Sequence, residues 1–223
     1  MASKGVIVEF DFAAMDGAGL LFRTASKFLQ DLDGIPFDDL AEAKYLAGNN
    51  YQGAFAEYFP VVKTKKTAAK AARDLADAFS AALTAEIPKS VTAAFRNFVK
   101  ALVARGVKVV ISTRADIGSE AVQGAFAGML GDDVVLYREE STTYGSVKWD
   151  AWRRACAANG LRSLTTIAVT GSGFGVHAAL LAGMGSVAVA NPRTDYQDHS
   201  GANAVVKELN AEAAKAVIEA LRI

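Results

Sequence analysis

The chain has 223 residues, 52% of them hydrophobic, enough for one sizeable core or for a core domain with a smaller insertion. Lys plus Arg and Asp plus Glu both total 24, so no overall field favours nucleic acid or an anionic membrane surface as a partner. Cys156 is the only cysteine, which excludes internal disulfides and Cys-based zinc sites and fits a reducing cytoplasm.

The first element is an apolar strand, Gly5-Val6-Ile7-Val8, that runs into Glu9-Phe10-Asp11. Those acids interrupt the only N-terminal apolar run, so no secretory signal is expected, and no apolar stretch is long enough to span a bilayer. Strand residues alternate faces, so Glu9 and Asp11 are expected to point the same way. Two like charges held together persist where a cation, a shared proton or an electrophilic substrate uses them; the bland alternative is a pair of ordinary surface acids. Ala18 to Leu32 reads as an amphipathic helix, and Gly34-Ile35-Pro36 marks a turn. Helical signals continue to about Ala85, clearest from Thr67 to Leu83, where Leu75, Phe79 and Leu83 are four apart. Pro88 is expected to punctuate.

Beyond it the pattern changes to helices and strands in alternation. Helices are expected at Val91 to Arg105, Ser119 to Leu130, Trp149 to Asn159, Val176 to Ala182 and from Ala211. Strands are expected at Val107 to Ser112, Val134 to Tyr137, Thr166 to Val169 and Ser186 to Ala190. This alternation implies an α/β fold, a parallel sheet covered on both faces, with the all-helical block after strand one as an insertion. Ligands of such sheets bind beyond the carboxyl ends of the strands. Glu9, Asp11, Thr113, Arg114 and the turn Thr170-Gly171-Ser172-Gly173 all fall there, and Lys148 lies in a loop that can reach the same edge. Hydroxyl, ammonium and backbone N–H groups donate to phosphate oxygens, so this set suits a phosphorylated ligand.

The order of parts resembles the haloacid dehalogenase (HAD) superfamily, in particular its β-phosphoglucomutase and phosphoglycolate phosphatase branch. The likeness rests on Glu9-Phe10-Asp11 with Asp16-Gly17, on Gly34-Ile35-Pro36 and Leu46-Ala47-Gly48-Asn49-Asn50, on the strand ending in Thr113, on Lys148, and on Thr170-Gly171-Ser172-Gly173-Phe174-Gly175. It implies a Rossmann-like parallel-sheet core, residues 1–16 and 88–223, with a helical cap at 17–87. It also implies roles: Glu9 as the nucleophile of phosphoryl transfer, Asp11 as acid/base, and Thr113 with Lys148 holding the phosphoryl group. Glu9 and Asp11 would ligate Mg²⁺, while Arg114, Gly48, Asn49 and Ser172 would meet the substrate, a small phosphorylated or carboxylated ligand.

Two positions depart from that pattern. Glutamate stands where the resemblance implies aspartate, and a carboxylate displaced by more than about 1 Å can cost on the order of 10²-fold in rate. Thr170 and Gly171 stand where it implies one or two acids, which weakens a magnesium site. A weak or inactive phosphohydrolase is therefore expected, with two alternatives open: an active hydrolase of altered chemistry, or a non-catalytic ligand- or partner-binding protein. Shifting the register by two residues makes Asp11 the nucleophile and Ala13 the second position, as in phosphonoacetaldehyde hydrolase, and the metal-free 2-haloacid dehalogenases are a further comparison.

Other features have blander readings. Gly171-x-Gly173-x-Gly175 lacks the third glycine of a dinucleotide fingerprint, since Val176 stands there. Lys63, Lys65, Lys66, Lys70 and Arg73 read as a solvated helix face or an anion patch, His177 and His199 as surface or packing residues, and Cys156 as a packing residue. Arg114 either contacts a phosphate or forms an exposed salt bridge. Oligomeric state is not legible.

Overall fold

In the computed structural model the described residues are 4–140 and 149–222. Six parallel strands form one sheet in the order β3-β2-β1-β4-β5-β6. They are β1 (Gly5–Glu9), β2 (Lys108–Thr113), β3 (Val134–Arg138), β4 (Thr166–Thr170), β5 (Gly185–Val189) and β6 (Ala204–Val206). β1 lies between β2 and β4, with Glu9 opposite Ser112 and Val8 opposite Val169, which brings three strand ends side by side. The pleat divides the apolar residues. Val6 and Val8 face one core cluster with Val109, Ile111 and Val169, while Ile7, Val110 and Ala168 face a second with Trp152, Cys156 and Ala179.

A one-turn helix, α1 (Phe10–Ala13), follows β1 directly. The helical segment then comprises α2 (Gly17–Asp33), α3 (Asp39–Ala41) running into a π-helical turn at Glu42–Leu46, α4 (Tyr51–Val61) and α5 (Ala68–Ser90). The rest are α6 (Ala93–Val103), α7 (Glu120–Phe126), α8 (Trp149–Ala158), α9 (Gly173–Leu181) and α10 (Ala211–Ala220). In α5 the buried residues Leu75, Phe79, Leu83 and Ile87 recur every fourth position, which turns one stripe inward along the whole helix. The larger cluster is continuous from this stripe and from Leu21, Phe55 and Phe59 to the sheet residues Val8 and Ile111.

Three expectations need correction. Asp11 does not continue the strand: β1 ends at Glu9 and Asp11 sits in the first turn of α1, so strand alternation is not what pairs the two acids. Pro88 does not stop α5, which runs on to Ser90. A proline in the last turn costs only one backbone donor near an end that would fray anyway, and buried Ile87 anchors that turn. The strand β6 was not expected, because three residues give too short a period to read.

Candidate active site

The acids Glu9 and Asp11 are each 1% exposed, and Arg114 is 6% exposed. The Arg114 guanidinium lies between the two carboxylates, its Nη2 donating to Glu9 Oε1 at 3.3 Å and its Nη1 sitting 3.5 Å from Asp11 Oδ2. The Thr170 hydroxyl donates to Glu9 Oε2 at 2.5 Å, and the Thr113 hydroxyl to Asp11 Oδ1 at 2.5 Å. The Arg114 backbone N–H donates to Asp11 Oδ2 at 2.8 Å. All four carboxylate oxygens are therefore engaged by groups of the chain itself. The arrangement follows from the topology: β1, β2 and β4 end together, and each supplies one side of the cluster.

Arg114 is held from several directions. Its carbonyl accepts from Ser80 Oγ of α5 at 2.8 Å, and its guanidinium lies 5.0 Å from the centre of the Phe12 ring. Burial alone would lower its pKa, yet Glu9 and Asp11 hold it above the usual arginine value. Burial pushes Glu9 up to about 6 against the opposing pull of Arg114 and Thr170, and pushes Asp11 up for the same reason. Glu139, also buried, lies just past the end of β3; its N–H donates to the Thr113 carbonyl at 2.8 Å, and its Oε1 is 3.7 Å from Arg154.

Beside Arg114 is a cavity of about 190 Å³ whose walls include Tyr51, Ser80, Arg138, Glu139 and Glu140. The Tyr51 hydroxyl is buried and has no hydrogen-bond partner among the described residues; burial pushes its pKa up to about 12. Sequence reasoning places specificity in the cap around Asn49 to Gln52 without singling out this residue. Its signal is the spacing of Tyr51, Ala54, Phe55 and Tyr58, which puts the phenol on the buried face of α4 at the helix start.

The remaining expected site residues make other contacts. Gly48 is exposed at φ 75°, next to the Phe174 ring, and Asn49 Nδ2 donates to the Tyr45 carbonyl at 2.9 Å. Ser172 is fully buried as the N-cap of α9, its Oγ accepting from the Gly175 N–H at 3.0 Å. Arg114 forms a buried ion-pair cluster and not an exposed salt bridge. Lys148 lies outside the described residues.

Mg²⁺ prefers near-octahedral oxygen coordination at about 2.0–2.1 Å. The residues present do not fit it as they stand: each carboxylate oxygen already accepts a hydrogen bond, and the Arg114 guanidinium occupies the space between the two acids. Nor is there room for a further acid on the adjacent turn. A Cβ at Gly171 would lie 1.9 Å from the Phe12 carbonyl oxygen, so only glycine lets these two turns approach. Among the described residues no group of three or more His, Cys, Asp or Glu side chains is arranged to hold a metal.

The basic residues Lys63, Lys65, Lys66, Lys70 and Arg73 are all exposed, with Lys70 paired to Asp74 at 2.5 Å. His177 is 3.5 Å from Asp198, both partly exposed, and Cys156 packs in the second core cluster. No helix among the described residues is long and apolar enough to cross a membrane.

No protein-family model and no curated protein matches the chain. Solved structures do. β-Phosphoglucomutase from Clostridium difficile superposes with a TM-score of 0.71 at 15% identity, covering 99% of this chain and 97% of that one. CbbY from Rhodobacter sphaeroides, solved with phosphate, gives 0.67 at 16% identity over 99% and 100%. A HAD hydrolase of family IA, variant 3, from Entamoeba histolytica gives 0.69 at 14% identity over 99% and 100%. With superpositions that cover nearly the whole of each chain, the six-stranded parallel sheet and its flanking helices have the HAD-hydrolase fold.

Proposed function

We propose that the chain is a phosphatase- or phosphomutase-type member of the HAD superfamily that holds a small phosphorylated or carboxylated ligand between a core (1–16 and 88–223) and a helical cap (17–87), with weak or no turnover. The observation that carries this reading is the engagement of both acids. Hydrogen-bond donation and a paired guanidinium lower the nucleophilicity of a carboxylate, and here each oxygen of Glu9 and Asp11 already accepts from Thr170, Thr113 or Arg114. The same holds in either register, since Asp11 is as fully engaged as Glu9. The Arg114 charge is already shared by two carboxylates, which leaves less of it for a developing phosphoryl charge. The lone Cys156 and the balanced charge support a soluble setting in a reducing compartment such as the cytoplasm.

The ligand would enter the cavity beside Arg114, where Arg138 supplies a cation and Tyr51 an unused hydroxyl. Thermal-shift and calorimetric titration with phosphomonoesters, 2-haloacids, phosphonoacetaldehyde and short carboxylates tests this. At least one compound is expected to bind saturably, with about tenfold weaker binding in Tyr51→Phe or Arg138→Ala. Binding unchanged in both variants would move the ligand elsewhere.

A second reading, an active hydrolase of altered chemistry, is favoured by one observation. A carboxyl with a pKa of about 6 suits general acid–base work near neutral pH.

A further inference from the structure

Two carboxylates this deeply buried must be neutralised, protonated or paired, because an isolated ion in a protein interior is strongly disfavoured. The chain meets this requirement itself. The guanidinium that separates the acids belongs to the residue immediately after β2, and its own backbone is tied down by Asp11 on one side and Ser80 on the other. Its plane rests near the Phe12 ring, and that ring's backbone is closed in by Gly171. For the guanidinium to leave, it would have to give up both carboxylates and its aromatic contact.

We propose that Arg114 is the permanent counter-cation of the Glu9–Asp11 pair, so that the site is built to work without a divalent cation, and that removing the guanidinium alone turns the same pair into a divalent-cation site. The inference holds whether or not the protein turns a substrate over. It depends on which cation sits between the acids, not on the ligand in the neighbouring cavity. Thr113 and Thr170 donate to one oxygen of each acid, and the guanidinium sits against the other two, where a second cation that met both carboxylates would compete with it. Arginine suits this role because its planar fork stays charged at any relevant pH and can face two carboxylates at once.

Thermal unfolding and calorimetric titration of the full chain with MgCl₂, MnCl₂ and low-millimolar guanidinium, at matched ionic strength, test the proposal. The wild-type midpoint is expected not to respond to Mg²⁺ or Mn²⁺. Arg114→Ala is expected to melt about 6 °C or more below it, and to recover at least half of that loss with millimolar Mg²⁺, Mn²⁺ or guanidinium. Adding Glu9→Gln to Arg114→Ala should abolish the recovery by the metals. Arg114→Lys, which keeps the charge, is expected to remain metal-insensitive, and it carries the test with the wild type if Arg114→Ala does not fold. The proposal is overturned by a wild type or Arg114→Lys protein that binds Mg²⁺ at one site with sub-millimolar affinity and gains stability. It is equally overturned by an Arg114→Ala protein that loses nothing, or that loses stability which no cation restores.

Discussion

At Thr170 the end of β4 presents a hydroxyl, and that hydroxyl is one of the donors that hold Glu9 in place. Replacing it by an isosteric apolar group leaves a buried carboxylate oxygen without its partner, which typically costs about 1–3 kcal/mol. Thr170→Val is therefore expected to lower the urea midpoint with an unchanged slope. Glu9 and Thr113 at strand ends, with Asp11 just beyond β1, were legible as one cluster because parallel strands end on one edge and the sequence marks where each ends. That two adjacent acids call for a balancing group, a cation, a shared proton or an electrophilic substrate, was legible too. Its identity was not. Whether the side chain at Arg114 turns inward or toward solvent depends on the space left by Phe12 and Gly171, which no local pattern encodes. On the substrate side, Gly48 and Asn49 follow from resemblance, and helical spacing applied to α4 adds Tyr51.

Among the elements, the junction between the π-helical turn and the loop after β5 carries a second buried charge. Arg193 donates to Glu42 Oε2 at 2.6 Å and to Asp39 at 3.2 Å, and its guanidinium lies 4.1 Å from the centre of the Phe22 ring on α2. Glu42 is 6% exposed, and its Oε1 has no partner among the described residues. Burial raises its pKa from 4.5 to about 7, against the pull of Arg193 and with a push from Asp39. The folded state thus binds this proton more tightly than the unfolded chain does. The contribution of Glu42 is full below about pH 4.5 and is lost as pH rises through 7, a fall of about 1–3 kcal/mol. Glu42→Gln should remove that fall, so the difference in unfolding free energy between wild type and variant should shift toward the variant from pH 5 to pH 8. A pH-independent difference would contradict the assignment. Element types were largely legible because periodicity reports burial, as in the four-residue spacing of α5. The one-turn helix α1 and the edge strand β6 were not, because each is shorter than the period that would reveal it.

At the scale of the molecule, one hydrophobic cluster passes without a break from α2, α4 and α5 to one face of the sheet. A chain joined in this way is expected to unfold in a single transition, with far-UV circular dichroism and the fluorescence of Trp149 and Trp152, which report α8 on the opposite face, giving coincident curves. Two separated transitions would mean that the helical segment is held more loosely than its shared core implies. The same architecture that makes the fold recognisable brings Glu9 and Asp11 together at the carboxyl end of the sheet and engages them with Arg114, Thr113 and Thr170. The central claim is that this occupation leaves little or no phosphohydrolysis. Its most direct test is steady-state turnover of a broad phosphomonoester panel, with and without Mg²⁺, by the wild type and by Glu9→Ala combined with Asp11→Ala. The expected result is wild-type rates within about tenfold of the double variant for every substrate. Turnover of any one substrate at about 1 s⁻¹ or faster, abolished in the double variant, would contradict it.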